Sequence, residues 1–198
     1  MWWSDLDHLT NLLTQLETHV DDRAEVDPTA VLSGAVRVGA GTRICAGVFI
    51  EGPVVIGRDC LIGNNTMIRG ATWIGDRVRI GFSAEVKASH IDHDVSIGPQ
   101  CFVADSRIDD HAYLGAQVRT SNQRLDRQPI KAMVNGALIS TGRDKLGCHI
   151  GQRSSLGVQV IILPGRTVAA NAMFEPRVTV NRNLPAGRYR LVQNLESY

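Results

Sequence analysis

The chain has 198 residues, 43% hydrophobic but only 5% aromatic, with 19 glycines, a balance that suits a core of Ile, Val and Ala layers broken by frequent bends. Twenty-one Lys and Arg face 20 Asp and Glu, so a formal charge of +1 supplies no field for nucleic acid or a membrane surface; any anion must be held by local clusters. Cys45, Cys60, Cys101 and Cys148 form no C-x-x-C pair, which argues against a zinc or redox motif and leaves them expected as reduced thiols.

The opening "MWWSDLDHL" lacks the basic region and apolar run of a signal segment, and no apolar stretch reaches membrane-spanning length, so a cytoplasmic location is expected. Residues 4–20 put Leu6, Leu9, Leu13, Leu16 and Val20 on one helical face, with Ser4 as N-cap and Asp7 three residues later. Residues 1–24 are therefore expected to form an amphipathic helix capping the open end of the domain that follows. Trp2 and Trp3 would pack on its first coil or on a neighbouring subunit.

From Val26 onward, aliphatic residues return every sixth position: Val26, Leu32, Val38, Ile44, Ile50, Ile56, Ile62, Ile68, Ile74, Ile80 and Val86. The series continues as Ile91, Ile97, Val103, Ile108 and Leu114, with two steps shortened to five, and resumes as Ile150, Leu156, Ile162, Val168, Phe174 and Val180. A small or β-branched residue follows most anchors by four, as at Thr42, Cys60, Thr66, Val78, Ala84 and Cys101. Hexads of this kind mark a parallel β-helix, in which each hexad makes one short strand and one bend and three hexads close a triangular coil. The fold class is thus all-β, a β-helix over 25–181 with inward anchors and coils stacked at roughly 4.8 Å. Cys60 and Cys101 fall at inward positions and read as core.

One segment, 119–148, breaks the period, and an excursion this long inside a compact repeat is usually functional. Its "IKAMVNGALIS" places Asn135-Gly136 between two apolar runs, a strong hairpin signal. Arg119, Arg124, Arg127, Lys131, Arg143 and Lys145 outnumber Asp126 and Asp144, making it a basic arm. The tail, 182–198, loses the period and is expected to form the other lid.

Three hexads make eighteen residues, so Arg69 and Lys87 must stack in successive coils, where like charges cost up to about 1 kcal/mol unless an anion lies between them. A phosphate would satisfy both. The plainer alternative pairs Arg69 with Glu51, one coil earlier, and leaves Lys87 in water. The same counting aligns Asp76, His93 and Asp110 in one column and Arg77, Asp94 and His111 in the next, a ladder of alternating charge on the outer face. A carboxylate-flanked His93 or His111 is also a candidate general base. No ligand spacing specifies a metal, and none is expected. "GAGTRI" at 39–44 resembles a nucleotidyltransferase phosphate loop, but its Val38, Thr42 and Ile44 neighbours are ordinary repeat positions.

The stretches "IGNNTMIRG", "SAEVKAS", "FVADSRI", "YLGAQVRTSNQRLD", "STGRDKLGCHIG" and "ILPGRTV" resemble the left-handed β-helix acyltransferases. The closer resemblance, from about Val26 to Pro185, is to the acetyltransferase domain of bifunctional sugar-1-phosphate nucleotidylyltransferase/glucosamine-1-phosphate acetyltransferases. It implies a left-handed coil, a homotrimer with acyl-coenzyme A bound between subunits, and a phosphorylated or nucleotide-linked sugar as acceptor. It places the phosphate-binding cations at Arg69 and Lys87 and an acceptor-side asparagine at Asn122. Arg124, Arg143, Lys145 and Arg166 become candidate contacts for the acetyl-CoA donor. Where the family carries its catalytic histidine, this chain has Pro99 or Gln100; Phe102 replaces a phosphate-contacting tyrosine and Tyr113 an acceptor-binding asparagine. The leading expectation is an acyltransferase with a displaced histidine as base. The alternatives are a catalytically degenerate coil that binds a sugar phosphate as a scaffold, and a metal-dependent enzyme of the γ-carbonic-anhydrase kind.

Overall fold

A computed structural model describes residues 1–192; the part of the tail beyond them lies outside the described residues. Short strands, mostly two or three residues long, stack into three parallel sheets that form the sides of a prism. The first sheet, of eight strands, runs from His19–Val20 through Val36–Val38 and Thr72–Ile74 to Thr167–Val168. The second has nine, from Glu25–Val26 to Arg188–Tyr189, and the third eight, from Val31–Ser33 to Thr179–Val180.

Anchors pair with anchors one coil away, as in Ile74↔Ile56, Ile80↔Ile62 and Val86↔Ile68, and the shortened steps are absorbed without loss of register, as in Ile91↔Ile108. From Val36 onward the anchors are buried and fill the prism as one continuous core. The corners explain the rest of the pattern. The residue three after an anchor takes a left-handed backbone, with φ of 54° at Asp59, 57° at Asn65 and 59° at His111, which turns the chain into the next side. A Cβ on Gly57 would lie 2.6 Å from the carbonyl oxygen of Gly75 in the coil above, so stacking at that height requires glycine there. Inward polar groups bond to backbone: the Thr42 hydroxyl donates to the Gly57 carbonyl at 2.7 Å and the Cys60 thiol to the Gly75 carbonyl at 3.1 Å. Burial pushes the Cys60 thiol up and that of Cys101 to about 11, leaving both as inert core groups.

Three expectations change. The helix, α1, spans Trp2–Leu13 with Met1 at its N-cap, so Ser4 lies inside its first turn and Val20 begins a strand. It buries Trp3, Leu6, Leu9 and Leu13 but does not close the end of the stack: it lies along the outside of the first sheet, against the strands of Trp73 and Arg107. Trp3 and Leu6 pack on Ile130, Ala132 and Leu146 of the excursion, whose apolar underside supplies the cover the helix needs. The excursion itself starts two residues late, because Arg119–Thr120 is a regular strand of the third sheet with the polar Thr120 in the buried anchor place. The hydroxyl of Thr120 accepts the Ala104 N–H at 2.8 Å, which makes a polar anchor tolerable. The tail, finally, extends the stack: Arg188–Tyr189 pairs with Met173–Phe174, and the Tyr189 ring stacks on Phe174 at 4.9 Å. The expected hairpin is present as Lys131–Val134 and Ala137–Ser140, turning at Asn135 and Gly136 with φ of 47° and 82°.

Candidate functional site

The third sheet carries the paired cations. Lys87 sits in register with Arg69, and Arg69 with Glu51, so the column expected from the period is present. The partners differ from the alternative expectation. Arg69 turns away from Glu51 to Glu85, with Nη2 and Nε donating to Oε1 at 2.7 and 3.0 Å. Lys87 is not free either: Nζ reaches both oxygens of Asp105, at 3.1 and 3.2 Å. Asp105 follows the strand Phe102–Ala104 with φ of 49°, and this corner folds its carboxylate back over the coil below.

Asn122 joins this group from the start of the excursion, donating to Asp105 Oδ2 at 2.6 Å. The excursion's return is fixed at the same place, since Leu146 N–H donates to the Asn122 carbonyl at 2.9 Å and Gly147 N–H to that of Asp105 at 2.8 Å. Phe102 stands opposite Glu85 on the same face. Arg69, Lys87, Asn122 and Phe102 are therefore brought together, with Glu85 and Asp105 as the carboxylates that sequence reading missed. Their offsets of sixteen and eighteen residues from their cations were the available signal.

The histidine column is a corner ladder. The Arg58 N–H donates to Asp76 Oδ1 at 2.7 Å, the Asp76 N–H to His93 Nδ1 at 2.9 Å, and the His93 N–H to Asp110 Oδ1 at 2.8 Å. In the next column Arg77 forms a two-pronged pair with Asp94 at 2.7 Å, which holds the Asp94 carboxyl below its usual range. With Nδ1 accepting a backbone proton, neutral His93 carries its own proton on Nε2 and presents no free lone pair, a geometry unsuited to a base. His111 is exposed at the turn of the same corner. Both lie between the first and second sheets, and Tyr113 lies on the outer face of the second; neither histidine nor Tyr113 is on the face of Arg69 and Lys87.

The donor-side cations divide. Arg124 and Arg166 line one groove of about 560 Å³ with Lys131, Leu125, Leu138 and Leu163. Arg124 pairs with Asp126 at 2.8 Å, whereas Arg166 donates Nε to the Asn181 carbonyl, and burial followed by the nearby charge of Arg124 lowers its pKa. Arg143 instead ties the excursion to α1 through Asp7 and the Trp3 carbonyl. Lys145 is exposed.

A second cluster, unanticipated in the sequence, lies under the first turn of α1. Arg107 is central, reaching Asp92 at 2.9 Å, Asp109 at 3.0 Å and Asp5 of the helix at 3.4 Å. On either side of it in the first sheet stand His90 and His149, paired with Asp92 at 2.9 Å and Asp109 at 2.8 Å. Burial raises the Asp109 carboxyl, but the His149 hydrogen bond and the charges of His149 and Arg107 outweigh it, and the net shift is downward. The cluster borders an open cavity of about 420 Å³. Among the described residues no group of three or more His, Cys, Asp or Glu is disposed to hold a metal ion.

Hexads stacked as a prism, with an excursion rooted beside an ion-paired cation column, define a hexapeptide-repeat transferase fold. The family model described as bacterial transferase hexapeptide (six repeats) matches residues 53–88. The uncharacterized acetyltransferase YaiX of Escherichia coli (strain 536 / UPEC) is 50% identical over 206 residues, an alignment covering 98% of this chain and 88% of YaiX. The chain belongs to this family of left-handed hexapeptide-repeat acetyltransferases. Bifunctional protein GlmU of Methanocaldococcus jannaschii is 33% identical over 187 residues, covering 94% of this chain and 45% of GlmU, so the chain spans under half of that protein. Among solved structures, PerB from Caulobacter crescentus in complex with CoA and GDP-perosamine is 20% identical, covering 88% of this chain and 54% of PerB at a TM-score of 0.27. Among the described residues no helix is long and apolar enough to cross a membrane.

Proposed function

We propose that the chain transfers an acyl group, acetyl in the first instance, from acyl-coenzyme A to a phosphorylated or nucleotide-linked amino sugar, as a cytoplasmic homotrimer. Family membership supports the reaction class. The observation that carries the acceptor class is the register that sets Lys87 on Arg69 beside Asn122. Two cations one strand spacing apart, roughly 4.8 Å, match the span of a phosphate held by two of its oxygens. Glu85 and Asp105 keep these cations ordered and neutralised, so a phosphate binds by replacing carboxylates. Such an exchange favours modest affinity.

Arg124 and Arg166 repel one another across a groove with apolar walls, which suits a donor bearing phosphates and a long apolar arm. Tyr113, on the second face, reaches an acceptor site only from a neighbouring protomer in this reading. The reading is tested by assaying acetyl transfer to amino-sugar 1-phosphates and nucleotide-linked amino sugars, with Arg69→Met and Lys87→Met alongside. Turnover with the acceptor KM raised about tenfold or more in either variant is expected, corresponding to a lost charge-assisted contact of about 1.4 kcal/mol or more. Equal turnover of the unphosphorylated sugars would overturn the acceptor class. The scaffold reading is favoured by one observation, the spent lone pair of His93 together with Pro99 and Gln100 in the family's histidine place. Phosphate binding without turnover would leave it standing.

A further inference from the structure

Acetyl transfer to an amine needs a group that accepts the amine's proton, and the six histidines differ sharply in what their ring nitrogens can do. His93 spends Nδ1 on a backbone N–H. His90 is engaged at both nitrogens, by Asp92 at 2.9 Å and Arg107 at 3.5 Å. His8, His19 and His111 are exposed and, among the described residues, touch no carboxylate within salt-bridge distance. His149 alone combines a carboxylate on one nitrogen with an uncommitted second: Nε2 lies 2.8 Å from Asp109 Oδ2, and Nδ1 has no partner among the described residues. Asp109 is itself fixed, because Arg107 Nε donates to its other oxygen at 3.0 Å. This is the arrangement in which a carboxylate sets the tautomer and leaves the opposite nitrogen as acceptor.

The surroundings fit. His149 is about a quarter exposed and lines the cavity under α1 with Trp2, whose ring lies 6.1 Å away and near-parallel. Its backbone N–H donates to the Arg166 carbonyl at 3.0 Å, which puts it on the strand beside the proposed donor groove. The charged groups facing it are Arg107, Asp109 and Asp110 of the coil and Asp5 of α1.

We propose that His149, oriented by Asp109, is the general base of the transfer reaction; this rests on the acetyltransferase reading above. The amine nitrogen attacks the thioester carbonyl carbon and forms the C–N bond while its proton passes to His149 Nδ1. The C–S bond then breaks, and the proton leaves His149 for the departing thiolate, giving the amide and free coenzyme A.

The test compares wild type, His149→Gln, His149→Ala, Asp109→Asn and the exposed control His8→Gln on an accepted amino-sugar phosphate. His149→Gln should lower kcat about 10²–10⁴-fold with both KM values within about twofold. Added imidazole should restore part of the activity of His149→Ala and leave His149→Gln unaffected, a readout that a merely structural role would not move. The acidic limb of the kcat/KM profile should disappear in both. Turnover retained within about threefold in His149→Gln, or lost instead in His93→Gln, would overturn the base while sparing the reaction. A wild-type protein that acetylates no acceptor overturns both.

Discussion

Lys87 and Asp105 meet at 3.1 Å across neighbouring coils, at the point where the chain leaves and rejoins the prism. The pair is largely shielded, with side chains 21% and 12% exposed, so removing the cation strands a carboxylate that Asn122 alone must satisfy. Lys87→Met should cost about 1–3 kcal/mol, read as a lower denaturant midpoint, and should speed amide exchange at the root of the excursion. An unchanged midpoint would mean that Asp105 is adequately solvated without Lys87.

Arg69 and Glu85 are more open, at 35% and 31% exposure, and such pairs contribute under about 1 kcal/mol. Glu85→Gln should therefore leave stability nearly unchanged while releasing the guanidinium. Inorganic phosphate should bind about two- to fivefold more tightly to this variant, the equivalent of that small pairing energy. Calorimetric titration at low salt measures it, and Arg69→Met should abolish the gain.

Asp109 supplies a pH dependence whose sign follows from its lowered pKa. A carboxyl depressed in the folded state stabilises the fold fully above its unfolded pKa of about 3.9 and loses that contribution as pH falls toward the folded value. Thermal midpoints measured from pH 6 down to pH 3 should fall below about pH 4 in wild type. Asp109→Asn should be less stable at pH 6 and show a shallower decline.

The helix and the excursion form one unit. Trp3 is 4% exposed and packs on Leu6, Ile130, Ala132 and Leu146, while Arg143 reaches Asp7. Trp3→Ala should cost about 3–5 kcal/mol if the cavity does not collapse. It should loosen both segments together, seen as faster proteolysis at 124–128 as well as near the N-terminus, whereas nicking confined to one of them would show that they are independent.

Much of this architecture was readable from the residues. The anchors, the inward Cys60 and Cys101, the Asn135-Gly136 turn and the Arg69–Lys87 column all depend on local spacing, and each appears where the period put it. Thr120 was misread because a polar residue in an anchor place looks like the end of the repeat until its hydroxyl is seen to accept the Ala104 N–H. The leucine face of α1 was legible, but not the surface it covers, since a buried stripe states only that some apolar partner exists. His149 carried no local signal, as Asp109 lies forty residues earlier.

The sequence by itself determined the prism and its register, because each hexad is one strand and one bend, and stacking converts a fixed offset along the chain into a contact between neighbouring coils. Only the tertiary structure decided which carboxylate each cation meets, which side α1 occupies and which histidine keeps a lone pair. Those outcomes depend on side-chain direction at the corners and on an excursion that drops out of the register, placing His149 directly on Arg107 although the chain between them is long.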